Sequence, residues 1–121
     1  MALPVTDTSG VADLEDLTAQ MREFTEARDW GRFHDLKSLT LALTGEVGEV
    51  AELVQWLLAD AAPDVALRER LGDELADVLL YLVRLVDVVG VDLGEAAARK
   101  LARNEQRWPV DVVRSVAPER R

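Results

Sequence analysis

The chain has 121 residues, 49% of them apolar, a formal net charge of −9 and no cysteine. Its length suits one domain, and that apolar share can build a core without disulfide staples. The lack of cysteine excludes a thiolate metal site and a thiol nucleophile, and so acidic a surface repels DNA and RNA backbones, so no nucleic-acid polymer is expected as partner.

The opening segment, MALPVTDTSG, lacks a basic n-region and an apolar h-region, so it is not read as a secretory signal. Residues 1–10 are expected to be a flexible tail, followed by a helical domain over 11–108. Leu14, Leu17, Met21 and Phe24 recur at steps of three and four, which predicts a first helix ending near Arg28 or Asp29. DWGRFHDLKS then reads as a connecting loop. A second helix is expected from about Ser38 to about Asp60, where DAAPD breaks it, because proline disfavours helical geometry in the residue before it. The third is expected from Pro63 or Asp64 to Val89, with Gly90 as its stop. The fourth starts at Asp92, with Glu95 three residues on, and runs to about Arg107 before Pro109. Residues 109–121 read as a second tail.

No strand alternation, repeat or low-complexity segment is visible. The longest apolar stretch, Val78 to Val91, is interrupted by Arg84 and Asp87 and is too short to span a bilayer comfortably, so no membrane partner is expected. The reading is a soluble, cytoplasmic, all-α bundle of four helices. Between Leu75 and Val89 only Asp77, Tyr81, Arg84 and Asp87 interrupt apolar residues. A helix apolar on nearly every side must be covered on nearly every side, which predicts a homo-oligomer with the third helix near the interface.

Acids sit in rows on helices that should pack. Glu46 and Glu49, three apart, border the apolar face made by Leu43, Val50, Leu53, Val54 and Leu57. Glu74 and Asp77 repeat the arrangement on the third helix, with Tyr81 and Arg84 further along. Packing the two helices antiparallel would bring four carboxylates together. Acids on helices are ordinarily a solvated face, and Glu52, Glu69 and Asp73 fit that description. Two pairs beside apolar stripes do not, because crowding and burial both penalise the charges. Arg84 is the only basic residue on that stripe. A hard divalent cation with oxygen ligands resolves the conflict, and Mg²⁺ is the ion that keeps waters and binds substrate phosphates.

With these residues in place, the chain resembles the MazG-like family of all-α nucleoside triphosphate pyrophosphohydrolases, whose signature is ExxE, a spacer, then ExxD. Here it reads EVGE at 46–49 and ELAD at 74–77, with 24 residues between. More narrowly, EARDWGRFHDLKSLTLALTGEVGEVAELVQWL, DELADVLLYLVRL and VDLGEAAARKLARNEQRWP are similar to the deoxycytidine triphosphate pyrophosphatase branch, and the resemblance covers about residues 14–110. It implies a four-helix MazG-like bundle in a homo-oligomer, a tetramer in preference to a dimer. It also implies Mg²⁺-dependent hydrolysis of a dNTP, dCTP or a modified dCTP foremost, to dNMP and pyrophosphate. The implied metal ligands are Glu46, Glu49, Glu74 and Asp77, with Glu49 also assigned as general base. Trp30, Trp56 and Tyr81 take the base-pocket role, and Lys100 and Asn104 the phosphate and sugar contacts. Met21 stands where that branch has a histidine, which leaves the detail of base or sugar recognition open.

Other readings compete. Aromatics near helix ends are more often core than pocket, though Trp30 lies in a loop among polar residues, where a flat ring can stack on a base. His34, the only histidine, is given no catalytic role. Lys100, Arg103 and Arg107 can be a solvated helix end instead of a phosphate contact. A ferritin-type redox bundle needs Glu-x-x-His pairs, and no expected helix contains histidine. A non-enzymatic acidic interaction module is the remaining alternative.

Overall fold

The computed structural model describes residues 13–117, and among them no strand occurs. Five helices follow in order: α1 (Leu14–Ala27), α2 (Leu36–Val54), α3 (Val65–Val89), α4 (Leu93–Arg107) and a single-turn α5 (Val110–Val113). A 3-10 turn, Gly31–Phe33, links α1 to α2. The chain divides into two compact units, one ending at Gly90 and one starting at Val91. The expected tail over 1–10 lies outside the described residues, and the expected tail from 109 carries the one-turn α5. No helix among the described residues is long and apolar enough to cross a membrane.

Each of the four long helices opens on an aspartate. Asp13, Asp35, Asp64 and Asp92 accept hydrogen bonds from the backbone N–H groups of Asp16, Ser38, Leu67 and Glu95 at 2.7–3.0 Å. Each side chain thereby satisfies a donor that the first turn leaves unpaired, and its charge complements the helix dipole. Gly90 closes α3 at φ 75, a left-handed conformation that glycine adopts without a steric penalty.

The end of α1 closes in the same way without a glycine. Asp29 takes φ 53. Its N–H donates to the Glu26 carbonyl at 3.1 Å, and the Trp30 N–H reaches back to the Thr25 carbonyl at 3.0 Å. This pair of bonds is a Schellman cap, and aspartate is among the residues that tolerate its left-handed position. The hydrophobic contact that accompanies such caps is present: Trp30 meets Phe24 edge to face, ring centroids 5.8 Å apart. The cap therefore fixes where Trp30 sits. Beneath it, Thr25 is fully buried, and its hydroxyl donates to the Met21 carbonyl at 2.6 Å.

One boundary differs from the sequence expectation. The second helix stops at Val54, not near Asp60. Leu57 N–H turns back to the Val54 carbonyl and Ala61 N–H to the Leu58 carbonyl, both at 3.0 Å, so turns replace the last expected helical residues. Pro63 constrains only its immediate predecessor, and tight turns satisfy the backbone earlier.

In the first unit, α3 is the central helix, with α2 and α1 both packed against it. Among the described residues, only Leu39 from α2 and Val83 from α3 are fully buried apolar residues, each at 1% exposure. Arg84 is buried as well, at 8%. Its Nε donates to His34 Nδ1 at 3.0 Å and its Nη1 to Asp87 at 3.3 Å. Asp87 also accepts a two-pronged pair from Arg22 of α1, at 2.9 and 2.5 Å. The bidentate pair ties α1 to the last turns of α3.

Two outcomes follow from this packing. Leu39→Ala is expected to lower unfolding free energy by about 2–5 kcal/mol, because a side chain at the packed α2–α3 contact leaves a cavity; denaturant titration at fixed protein concentration measures it. Asp87 gives a pH signature. The hydrogen bond from Arg22 holds its carboxyl below the usual value, the Arg22 and Arg84 charges add to this, and burial opposes them. A depressed native pKa contributes stability that is complete above the unfolded value of about 3.9 and is lost as pH falls through the lower native value. The Tm gap between wild type and Asp87→Asn is therefore expected to be open at neutral pH and to narrow below about pH 4. A gap of constant size down into acid would refute the assignment.

Candidate metal centre and adjoining cavity

Helical spacing puts Glu74 and Asp77 on one face of α3, and the packing of α2 brings Glu46 to them. One carboxylate oxygen from each of the three lies within 4.8 Å of the other two. Glu46 and Glu74 are half-buried and Asp77 is exposed. The Oε2 atoms of Glu46 and Glu74 are both buried with no hydrogen-bond partner. A buried acceptor without a donor is costly, and two facing each other are costlier.

Glu49, one turn beyond Glu46, joins the group. Pairing with the Glu49 carboxyl is the first cause that raises the Glu74 pKa, with burial next. Burial is the main cause of the rise at Glu46, followed by the charge on Glu49. Without a cation, such a cluster relieves itself by holding protons. No basic side chain answers it from α3, because Arg84 is committed to His34 and Asp87. Three carboxylates within reach of one point, two of them with an orphaned oxygen, and Glu49 beside them form a donor set that suits a hard divalent cation.

Asp77 also lines a cavity of about 390 Å³, together with Gln20, Met21, Trp30, His34 and Tyr81. Leu17, Phe24 and Leu80 complete its apolar wall. The volume lies in the range of small-ligand pockets. The α1 cap anchors the aromatic side: the Arg28 guanidinium lies 3.7 Å from the Phe24 ring centroid and 5.9 Å from that of Trp30. Trp30 thus presents a braced aromatic face, and Asp77 joins an apolar chamber to an acidic cradle.

Of the three aromatics expected in a base pocket, Trp30 and Tyr81 line this cavity and Trp56 does not. Trp56 sits past the end of α2 at 88% exposure. Lys100 and Asn104 belong to the second unit. There they line a depression of about 440 Å³ on α4 with Arg103, Gln106 and Arg107, and the Asn104 carbonyl accepts from Trp108 N–H at 2.8 Å.

Leu17, Met21 and Phe24, expected to share one face of the first helix, are cavity wall. Periodicity reports which residues share a face, not whether that face is filled. Gln20 carried no signal. Arg84 did carry one, since an arginine inside an apolar run must find acceptors when it is buried.

Residues 34–111 match the MazG nucleotide pyrophosphohydrolase domain. The chain is 46% identical over 109 residues to dCTP pyrophosphatase 1 of Rattus norvegicus, covering 86% of this chain and 64% of that protein. Against dCTP pyrophosphatase 1 of Homo sapiens it is 46% identical over 107 residues, covering 84% and 62%. The chain thus spans less than two thirds of the length of these curated relatives. Among solved structures, a pyrophosphatase from Archaeoglobus fulgidus DSM 4304 superposes with a TM-score of 0.67 at 34% identity, over 79% of this chain and 92% of that one. With the match spanning both acidic pairs and most of the helical chain, the protein belongs to the MazG nucleotide pyrophosphohydrolase domain family.

Proposed function

We propose that this chain is a Mg²⁺-dependent pyrophosphohydrolase that converts a deoxynucleoside triphosphate, dCTP or a modified dCTP foremost, to the monophosphate and pyrophosphate. The observation that carries the reading is the cluster of Glu46, Glu74 and Asp77, one oxygen from each within 4.8 Å of the others, in which Glu46 and Glu74 each keep a buried oxygen without a hydrogen-bond partner and Asp77 also lines an apolar cavity. The names of the curated relatives support the substrate.

Glu46, Glu49, Glu74 and Asp77 would hold the metal. Bound there, Mg²⁺ neutralises the charge on the phosphates and stabilises the charge that develops on the leaving pyrophosphate. The protein's own contribution is position and proton transfer. Trp30 and Tyr81 flank the base. Asp77, shared by cavity and cradle, sets the distance from base to phosphates. We assign Glu49 as general base, since it is exposed and so can meet water, and since it stands outside the three carboxylates whose oxygens gather within 4.8 Å of one another. It accepts a proton as water oxygen bonds to the α-phosphorus; the bond from that phosphorus to the bridging oxygen breaks, and pyrophosphate leaves. Lys100 and Asn104, four residues apart on α4, are assigned the phosphate and sugar contacts on the motif KLARNEQRWP. The base-pocket role of Trp56 rests on resemblance alone.

We further infer that copies of the chain assemble, a tetramer in preference to a dimer. Large apolar side chains on α2 and α3 are half or more exposed, among them Leu36, Leu41, Val47, Val65 and Leu75. That is more apolar surface than a lone small protein ordinarily leaves bare. A cysteine-free chain acting on free nucleotides fits the cytoplasm.

Incubation with each NTP and dNTP plus Mg²⁺ is expected to release pyrophosphate and monophosphates, dCTP fastest; orthophosphate and diphosphates would refute the bond assignment. Asp77→Asn is expected to lower kcat at least about a hundredfold while circular dichroism stays helical. Without metal, Glu46→Gln is expected to melt higher than wild type, because one crowded charge is gone. Adding Mg²⁺ should raise the wild-type Tm and leave that of Glu46→Gln nearly unmoved. Equal Mg²⁺ shifts in both would remove Glu46 from the cradle.

A further inference from the structure

The cavity has a polar wall that the proposed hydrolysis does not use. His34 lines it, and Arg84, which does not, donates from Nε to His34 Nδ1 at 3.0 Å. A guanidinium carries donors only. The bond therefore requires a bare lone pair on Nδ1, and the neutral ring must carry its proton on Nε2. Among the described residues no hydrogen bond is made by Nε2, which is the remaining polar atom of a ring that lines the cavity.

Three elements keep Arg84 from swinging away. Asp87 accepts from its Nη1 at 3.3 Å and is itself clamped by Arg22 of α1. On the 3-10 turn, Gly31 lies close against the guanidinium: a Cβ there would stand 3.7 Å from Nη2. At 8% exposure Arg84 is largely removed from competing water. Burial and the Arg84 charge both hold the His34 pKa below its ordinary value, which keeps the ring neutral.

Resting on the nucleotide reading above, we propose that Arg84 is a positioning residue that locks His34 as a one-way hydrogen-bond donor, and that this lock makes the cavity favour cytosine over thymine and uracil. An imidazole free to exchange tautomers can donate to an acceptor or accept from a donor. A locked one can only donate. The discrimination lies at N3: cytosine N3 is an acceptor and takes such a donor, whereas thymine and uracil carry N3–H there, so donor would face donor inside an apolar chamber and the unpaired groups cost binding; O2 accepts in all three bases and does not discriminate.

The chain has one histidine, so a proton–nitrogen correlation spectrum of ¹⁵N-labelled protein contains one imidazole. The wild-type spectrum is expected to show Nε2 protonated and Nδ1 bare, and Arg84→Met is expected to shift both nitrogens toward a tautomer average. In parallel, the dCTP-to-dTTP ratio of kcat/KM is expected to fall by about tenfold in Arg84→Met and in His34→Gln, whose amide can turn to offer either group. Arg84→Lys, which keeps a donor, is expected to retain most of the ratio. A wild-type Nδ1 that is protonated, a wild type indifferent between dCTP and dTTP, or an unchanged ratio in both variants overturns the proposal. If Arg84→Met does not fold, the wild-type spectrum and His34→Gln decide it. If no dNTP is hydrolysed, the reading of the site and the base preference fall, and the spectrum alone upholds or overturns the tautomer lock.

Discussion

The fold places carboxylates where carboxylates are least welcome. Glu46 on α2 and Glu74 on α3 face one another with an unpaired buried oxygen each, and Asp77 stands beside them. A hydrophobic contact between two helices tolerates such charges only with protons or a cation to neutralise them, since uncompensated charges cost several kcal/mol. A small domain has little stability to spare, so this strain on α2–α3 is retained where function gives it a use. A permanently occupied arginine pair would stabilise the junction more simply. It would also fill the place that a phosphate-bound ion needs.

Around this junction the charges are kept apart. Arg84, two turns beyond Asp77 on α3, turns to His34 and Asp87. Arg22 closes the same knot from α1. The basic groups thus brace the wall of the cavity and leave the acids alone. The Schellman cap at Asp29 contributes from the other side, because it aims Trp30 across Phe24 at the chamber that Asp77 also lines. An apolar cavity and a crowded carboxylate cluster share one residue, Asp77, and the proposed nucleoside triphosphate substrate rests on that juxtaposition, since it joins a flat, weakly polar head to a highly charged tail.

The same economy shows in the packing. Two fully buried apolar side chains are few for three packed helices, and α3 carries apolar residues on several faces. The faces that α1 and α2 do not cover ask for further apolar cover, as the hydrophobic effect predicts for a helix without a fully polar side.

Much of this was legible beforehand. Periodicity, the Asp92 start and the glycine at 90 marked the helices, because they act within one or two turns of the backbone, while the caps at Asp13 and Asp35 were not read. The spacing of Glu46 with Glu49 and of Glu74 with Asp77 marked the acids, since residues three apart share a helical face whatever surrounds them. The end of α2 was misplaced by nearly two turns, from about Asp60 to Val54, because tight turns beyond Val54 compete with helix on nearly equal terms. What no local rule could supply was contact across long separations. That Glu46 meets Glu74, that Asp77 serves both cradle and cavity, that the Leu17–Phe24 face stays open, and that an arginine fifty residues away dictates the proton on His34 were decided by tertiary packing alone. Sequence sets which side chains share a face; only the folded chain decides what that face meets, because burial, pairing and orphaned oxygens are properties of two surfaces together.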